Sequence, residues 1–152
     1  MLNEDYKEML QCLLEEKVRF LLVGAYAVAV YGYPRATKDI DILVRAAPEN
    51  AANLLRALAR FGAPLSGVTE SDFSVEGIVF QIGSGPRRID ILTSISGVEF
   101  EHAYANKRTV SVEGVDVPVI SLDDLIANKR ATGRTQDLAD VERLLSIPPQ
   151  TK

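Results

Sequence analysis

Only one cysteine, Cys12, occurs in 152 residues, so no disulfide can close within the chain, as suits a reducing compartment. Basic residues are not in excess. The net charge is -4, whereas a protein that coats nucleic acid is usually basic. That argues against a dedicated nucleic-acid-binding module and leaves room for transient contact with an RNA end. No apolar run approaches the length needed to span a bilayer. The start, Met1-Leu2-Asn3-Glu4-Asp5, has neither the basic region nor the apolar run of a signal peptide. A cytoplasmic protein without a membrane partner is expected. Repeats, low-complexity runs and linkers are also lacking.

What is present is the balance of an ordinary globular protein, 47% hydrophobic and 25% charged. At this length one core is expected, in a single domain over residues 1–152. Tyr6, Met9, Leu10, Leu13 and Leu14 recur at helical spacing behind Asn3, a residue suited to capping. Phe20 to Val23 is a short apolar run ending at Gly24, the pattern of a buried strand entering a tight turn. Ala25 to Tyr31 suits a short helix, which Gly32-Tyr33-Pro34 breaks. From Asp39 to Val44 the chain alternates, with Asp39, Asp41 and Leu43 on one face and Ile40, Ile42 and Val44 on the other. Pro48 opens a helix carrying Leu54, Leu55, Leu58 and Phe61, and Gly62 closes it.

Gly67 to Leu92 reads as strands, with Ile78 to Ile82 and Arg88 to Leu92 flanking a Gly83-Ser84-Gly85-Pro86 loop. Thr109 to Val112 and Val115 to Ile120 flank Glu113-Gly114 as a second hairpin, and Pro118 suggests that one of these strands is an edge. Ser121-x-x-Asp124 resembles a capping box opening a helix with Leu122, Leu125 and Ile126. After Thr132-Gly133 a last helix carries Leu138, Val141, Leu144 and Leu145, and Pro148-Pro149 begins a frayed tail. The fold class expected is α+β, a mixed sheet flanked by helices.

The chemistry begins at Asp39-Ile40-Asp41. Two carboxylates on one strand face have Cα atoms roughly 7 Å apart and resist burial together. Mg²⁺ is the natural partner, since it takes a few carboxylates plus waters and substrate phosphates. Asp90 repeats the context, because Ile-Asp-Ile-Leu occurs at both Ile40 to Leu43 and Ile89 to Leu92. If those strands are neighbours, Asp90 lies roughly 5 Å across from the first pair. Three acids so placed can hold two ions about 4 Å apart, one gripping a triphosphate and one activating an attacking hydroxyl. Asp90 could also accept that proton. Gly24-Ala25, a small-residue turn before a helix, offers backbone N–H groups to phosphate oxygens.

Val23-Gly24-Ala25, followed by Tyr33-Pro34-Arg35-Ala36-Thr37-Lys38-Asp39-Ile40-Asp41-Ile42-Leu43-Val44 and then Asp90, resembles the nucleotidyltransferase (polymerase β-like) superfamily. A closer resemblance is to the minimal members grouped with AbiEii-type toxins, whose late Lys…Arg…Asp-x-x-Asp pattern is matched by Lys129, Arg134, Asp137 and Asp140. The resemblance spans about Phe20 to Leu145. It implies two Mg²⁺ ions held by Asp39, Asp41 and Asp90, with Asp90 activating the acceptor. It also implies an NTP bound through Gly24, Ala25 and Lys129, and transfer of an NMP with pyrophosphate release. Many members have serine after the glycine, and Ala25 lacks that hydroxyl. Arg35 and Lys38 flank the acids, suited equally to phosphate charge and to a solvated loop. The acceptor is left open between a small molecule, a protein and a tRNA end. A nucleotide-binding regulatory or toxin–antitoxin module without turnover is the alternative.

Other residues read more plainly. Helical spacing alone would make Lys129 and Arg134 surface charges pairing with Asp137 and Asp140 in exposed salt bridges. His102 has no serine or cysteine motif nearby and suits a surface or packing role. Cys12, beside the first helix's apolar stripe, reads as inert. Tyr26, Tyr31 and Tyr33 suit core packing as well as base stacking.

Overall fold

The computed structural model describes residues 3–32, 39–83 and 87–147. Its first helix, α1 (Glu4–Glu15), starts where expected, with the Asn3 Oδ1 accepting from the Tyr6 N–H. It buries Tyr6, Met9, Leu10, Cys12 and Leu13, while Leu14 is partly exposed. Strand β1 (Phe20–Val23) is buried throughout and passes directly into α2 (Gly24–Val30). Strand β2 (Ile40–Val44) follows, then α3 (Pro48–Phe61) with proline in its first turn and Gly62 in the left-handed conformation at its end. The apolar stripe of α3 packs on α1, with Leu54 and Leu58 fully buried.

The stretch expected to be strands from Gly67 onward is less regular. It holds a single 3₁₀ turn (Asp72–Ser74) that buries Phe73, then short strands β3 (Val79–Ile82) and β4 (Ile89–Leu92). Gly67, Glu70, Ser71, Asp72 and Gly77 favour turns over an extended ladder. The tip of the first hairpin, Ser84 to Pro86, lies outside the described residues. Helix α4 (Phe100–Ala105) leads to β5 (Arg108–Val112) and β6 (Val115–Val119), the second hairpin, and then to α5 (Leu122–Thr132) and α6 (Thr135–Leu145). Ser121 caps α5 by accepting from the Asp124 N–H, and Gly133 at φ 67° ends it. Pro148-Pro149 lies outside the described residues.

The strands form one six-stranded mixed sheet, ordered β3-β4-β2-β1-β6-β5. β5 is the edge that Pro118 suggested, yet Pro118 itself lies on β6, between β5 and β1. Pairing of β6 with β1 is confined to Leu22↔Val119, next to Pro118, which has no N–H to donate to a ladder. β2 lies near the middle, antiparallel to β1 and parallel to β4. Among the described residues no helix is long and apolar enough to cross a membrane.

On α6 the expected stripe is only half right. Val141 and Leu144 are buried, but Leu138 is 49% and Leu145 57% exposed. The inward positions of this helix belong to Asp137 and Asp140 instead.

Candidate active site

The repeated Ile-Asp-Ile-Leu segments are parallel neighbours in exact register, Ile40↔Ile89, Asp41↔Asp90, Ile42↔Ile91 and Leu43↔Leu92. Side chains of paired residues point to the same side of a sheet, so Asp41 and Asp90 stand side by side, and Asp39 shares their face. On the other side of β2, Val23 pairs with Asp41, which brings the β1-to-α2 turn against the same carboxylate. Three separated sequence segments thus meet at one point of the sheet.

Sequence reasoning passed over one member of this group. Arg88 precedes Asp90 by one strand period, and its guanidinium reaches both flanking acids. Its Nε donates to Asp90 Oδ1 at 2.8 Å, and its Nη2 donates to Asp90 Oδ2 and to Asp39 Oδ2, each at 3.1 Å. The period-two spacing from Asp90 was the signal that could have found it. Asp90 is only 7% exposed, and these bonds raise the Arg88 pKa further.

No described cation pairs with the third acid, Asp41. Burial, and then the negative charges of Asp90 and Asp39, push its carboxyl from 3.8 to about 6, against weaker opposing pulls from Lys129 and Arg88. The folded protein therefore holds this proton more tightly than the unfolded chain does. The contribution of this group to stability is full below about pH 4 and is lost as pH rises through about 6. Melts of metal-free protein are expected to show Asp41→Asn equal to wild type below about pH 4 and progressively more stable than it up to about pH 6. A difference independent of pH would show that Asp41 does not titrate in this window.

The donor set suits a hard divalent cation: three carboxylates on one face, one of them half-buried without a counterion. Gly24 preserves the room beside it. At φ 69°, its backbone comes so close that an added Cβ would fall inside the van der Waals shell of Asp41 Oδ2. As the side chains stand, no three potential ligands among the described residues enclose an ion; Arg88 lies between Asp39 and Asp90. Gly24→Ala is expected to lower stability by on the order of 2 kcal/mol, from left-handed strain plus displacement of Asp41. A thermal melt of the variant beside wild type reads the loss.

Beside Asp41 opens a cleft of about 370 Å³. Val23, Gly24 and Ala25 form one wall, Ile95 and Ser96 another, and Lys129, Thr132, Arg134 and Asp137 the far side. No side chain caps the start of α2, so its first backbone N–H groups are not taken up by a capping residue. The Ile95–Ser96 wall is fixed to α5 by the Asn128 Nδ2, which donates to Ser96 O at 2.9 Å.

The far wall corrects the expectation of exposed salt bridges. Lys129 is 6%, Asp137 2% and Asp140 0% exposed. The Lys129 Nζ lies 3.3 Å from Asp137 Oδ1 and 3.2 Å from Asp140 Oδ2. Thr132 Oγ1 and Arg134 Nε each donate to Asp137 Oδ2 at 2.7 Å. Burial alone would push the Asp137 carboxyl up, but bonds from Arg134, Thr132 and Lys129 hold it well below the usual range. Arg134, at the cleft rim, and Thr132 are exposed, while the charges they surround are buried. The sharp turn at Gly133 folds α6 back against α5 and buries what helical spacing placed in solvent.

The structure thus brings Gly24, Ala25, Asp39, Asp41, Asp90 and Lys129 around one cleft and strand face. Arg35 and Lys38 lie outside the described residues, as does Tyr33. Tyr31 donates its hydroxyl to Ile120 O at 2.8 Å in the core, and Tyr26 packs edge-on against Tyr6. Cys12 is buried and its thiol pKa is pushed up by burial, which agrees with an inert role. His102 is on the surface.

Solved structures share this architecture. A protein assigned as a nucleotidyltransferase, from Thermotoga maritima, aligns with a TM-score of 0.62 at 19% identity over 95% of both chains. LnuA, a lincosamide antibiotic adenylyltransferase with lincomycin bound, gives 0.61 at 17% identity, over 97% of this chain and 99% of that one. The antibiotic-resistance factor ANT(2'')-Ia gives 0.63 at 13% identity, over 93% and 81%. At such identities the likeness is one of fold. No curated protein matches in sequence. Residues 1–146 match the family described as nucleotidyltransferase of unknown function (DUF6036), and the chain belongs to that family.

Proposed function

We propose that the protein transfers an NMP from an NTP, with ATP the first candidate, to a hydroxyl of a small molecule, releasing pyrophosphate. The observation that carries this reading is the register of β2 and β4, which sets Asp41 beside Asp90 with Asp39 on the same face. Asp39, Asp41 and Asp90 would hold Mg²⁺, two ions by family resemblance, which would supply charge neutralisation at the α-phosphate and a lowered pKa for the attacking hydroxyl. Asp90 is suited to accept that hydroxyl's proton. The cleft between Gly24-Ala25 and Lys129 suits the triphosphate: backbone N–H groups on one side, cations of Lys129 and Arg134 on the other. Arg35 and Lys38 remain candidates for further phosphate contacts.

A small-molecule acceptor is favoured over a protein or a tRNA end because of two neighbours. LnuA is solved with lincomycin and ANT(2'')-Ia in complex with adenylyl-2''-tobramycin, and the present chain covers most of each. Kinship with AbiEii-type toxins is the narrower proposal, resting on Lys129, Arg134, Asp137 and Asp140. A second reading, a nucleotide-binding module without turnover, draws on Ala25, which offers no hydroxyl to a phosphate.

The test is calorimetric titration of ATP with and without Mg²⁺ into wild type and Asp39→Ala, alongside transfer of α-labelled NTP to a panel of hydroxylated small molecules. Mg²⁺-dependent binding and label transfer, both lost in the variant, would support transfer. Binding without transfer to any acceptor, including cell-extract proteins and tRNA, would favour the module. ATP binding indifferent to Mg²⁺ would refute transfer, and absence of any ATP binding would refute both.

A further inference from the structure

The guanidinium of Arg88 spans two of the three acids. It engages Asp90 in a two-pronged fork and reaches across to β2 for Asp39. Its backbone cannot shift to release them: the Arg88 carbonyl accepts from Ile40 N at 3.0 Å and from the Tyr6 hydroxyl at 3.2 Å. The side chain is 33% exposed, against 10% for Asp90, so it has an open side toward which to rotate. A single positive charge faces three carboxylates and leaves Asp41 without a partner. A divalent ion brings twice the charge and no directional fork, so it can serve all three.

We propose that Arg88 is an internal stand-in for the metal, holding Asp39 and Asp90 in place until a divalent cation displaces it. The inference rests on the metal-dependent reading above and adds a rule to it. Metal binding becomes an exchange, in which charge-assisted hydrogen bonds must break before carboxylate oxygens are free. Free metal then binds weakly. The displaced guanidinium, now beside the cleft, is available to an anionic triphosphate, so metal and nucleotide bind each other's complex more tightly than the free protein. Arg88 is in this sense a positioning residue, acting through Asp39 and Asp90.

The probe is Mn²⁺ alone, titrated by the loss of its free electron-spin-resonance signal, without nucleotide, into wild type, Arg88→Gln and Arg88→Lys. Glutamine removes the charge and keeps most of the length, so Arg88→Gln is expected to bind Mn²⁺ roughly tenfold more tightly. Arg88→Lys keeps the charge without the fork and should fall between the two. Thermal melts give the second readout. Metal-free Arg88→Gln should melt below wild type, because its acids repel uncompensated, and Mn²⁺ should raise its Tm by more than it raises that of wild type. Equal or weaker Mn²⁺ binding in Arg88→Gln, with equal Tm losses with and without Mn²⁺, would reduce Arg88 to a brace between strands and overturn the proposal alone. If neither protein binds Mn²⁺, the metal-dependent reading fails together with it. Should Arg88→Gln not fold, Arg88→Lys carries the test: tighter Mn²⁺ binding than wild type supports the exchange, and unchanged binding refutes it.

Discussion

Asp41→Asn is expected to lower nucleotidyl transfer by on the order of a thousandfold while making the metal-free protein more heat-stable above about pH 6. The two effects share one cause. An ionised carboxylate there is disfavoured by burial and by two like charges, so the neutral amide relieves the resting fold. That same disfavoured charge is what would bind a cation strongly. The amide keeps the shape of the side chain and its place beside Gly24, but its oxygen is a weak ligand and carries no charge. Steady-state transfer together with a melt at pH 7.5 tests the pair of effects. Loss of activity with a lowered Tm would instead mean that the substitution disturbs the fold, and unchanged activity would remove Asp41 from the site.

Lys129→Met carries the largest expected loss of stability, about 3 kcal/mol, the cost of removing the ammonium that two buried carboxylates share. For a chain of this length that is a fall in Tm of roughly 10 °C. Asp137 retains Thr132 and Arg134, but Asp140, fully buried, loses the ammonium 3.2 Å away. Adding Asp140→Leu to Lys129→Met should restore part of the loss, since the buried carboxylate that loses the ammonium is then removed with it. A single variant as stable as wild type would mean that water or another group takes the lysine's place. Transfer activity should fall in both the single and the double variant, because the cleft wall loses its buried cation.

These two sites differ in how far the sequence disclosed them. Around Asp41 the local pattern sufficed: alternation assigned the faces of β2, and the recurrence of Ile-Asp-Ile-Leu pointed to a partner strand that is indeed adjacent and in register. Arg88 obeys the same period-two rule but was overlooked, since an arginine before a strand is commonplace and its meaning depends on Asp39 across the sheet. Around Lys129 the local pattern misled. On α6, hydrophobic periodicity assigned Leu138 and Leu145 inward and the aspartates outward, because a charge is costly to bury unless it is paired. The partner sits on another helix, and only the turn at Gly133 brings them together. Val79–Ile82 and Ile89–Leu92 are strands as expected, but from Gly67 to Gly77 the expected strand gives way for a simpler reason, a density of turn-forming residues that the apolar positions do not overcome.

The register of β2 with β4 also bears on how the chain reaches its native form. Those strands are parallel and are separated in sequence by α3 and β3, so their pairing closes a long loop, a slow step in folding. Mutual repulsion of Asp39, Asp41 and Asp90 would raise that barrier further. Arg88, two positions ahead of Asp90 on the arriving strand, carries a counterion to the encounter, so the third acid does not meet the first two bare. The residue proposed to compete with metal in the finished protein is thereby also placed to ease the assembly of the sheet.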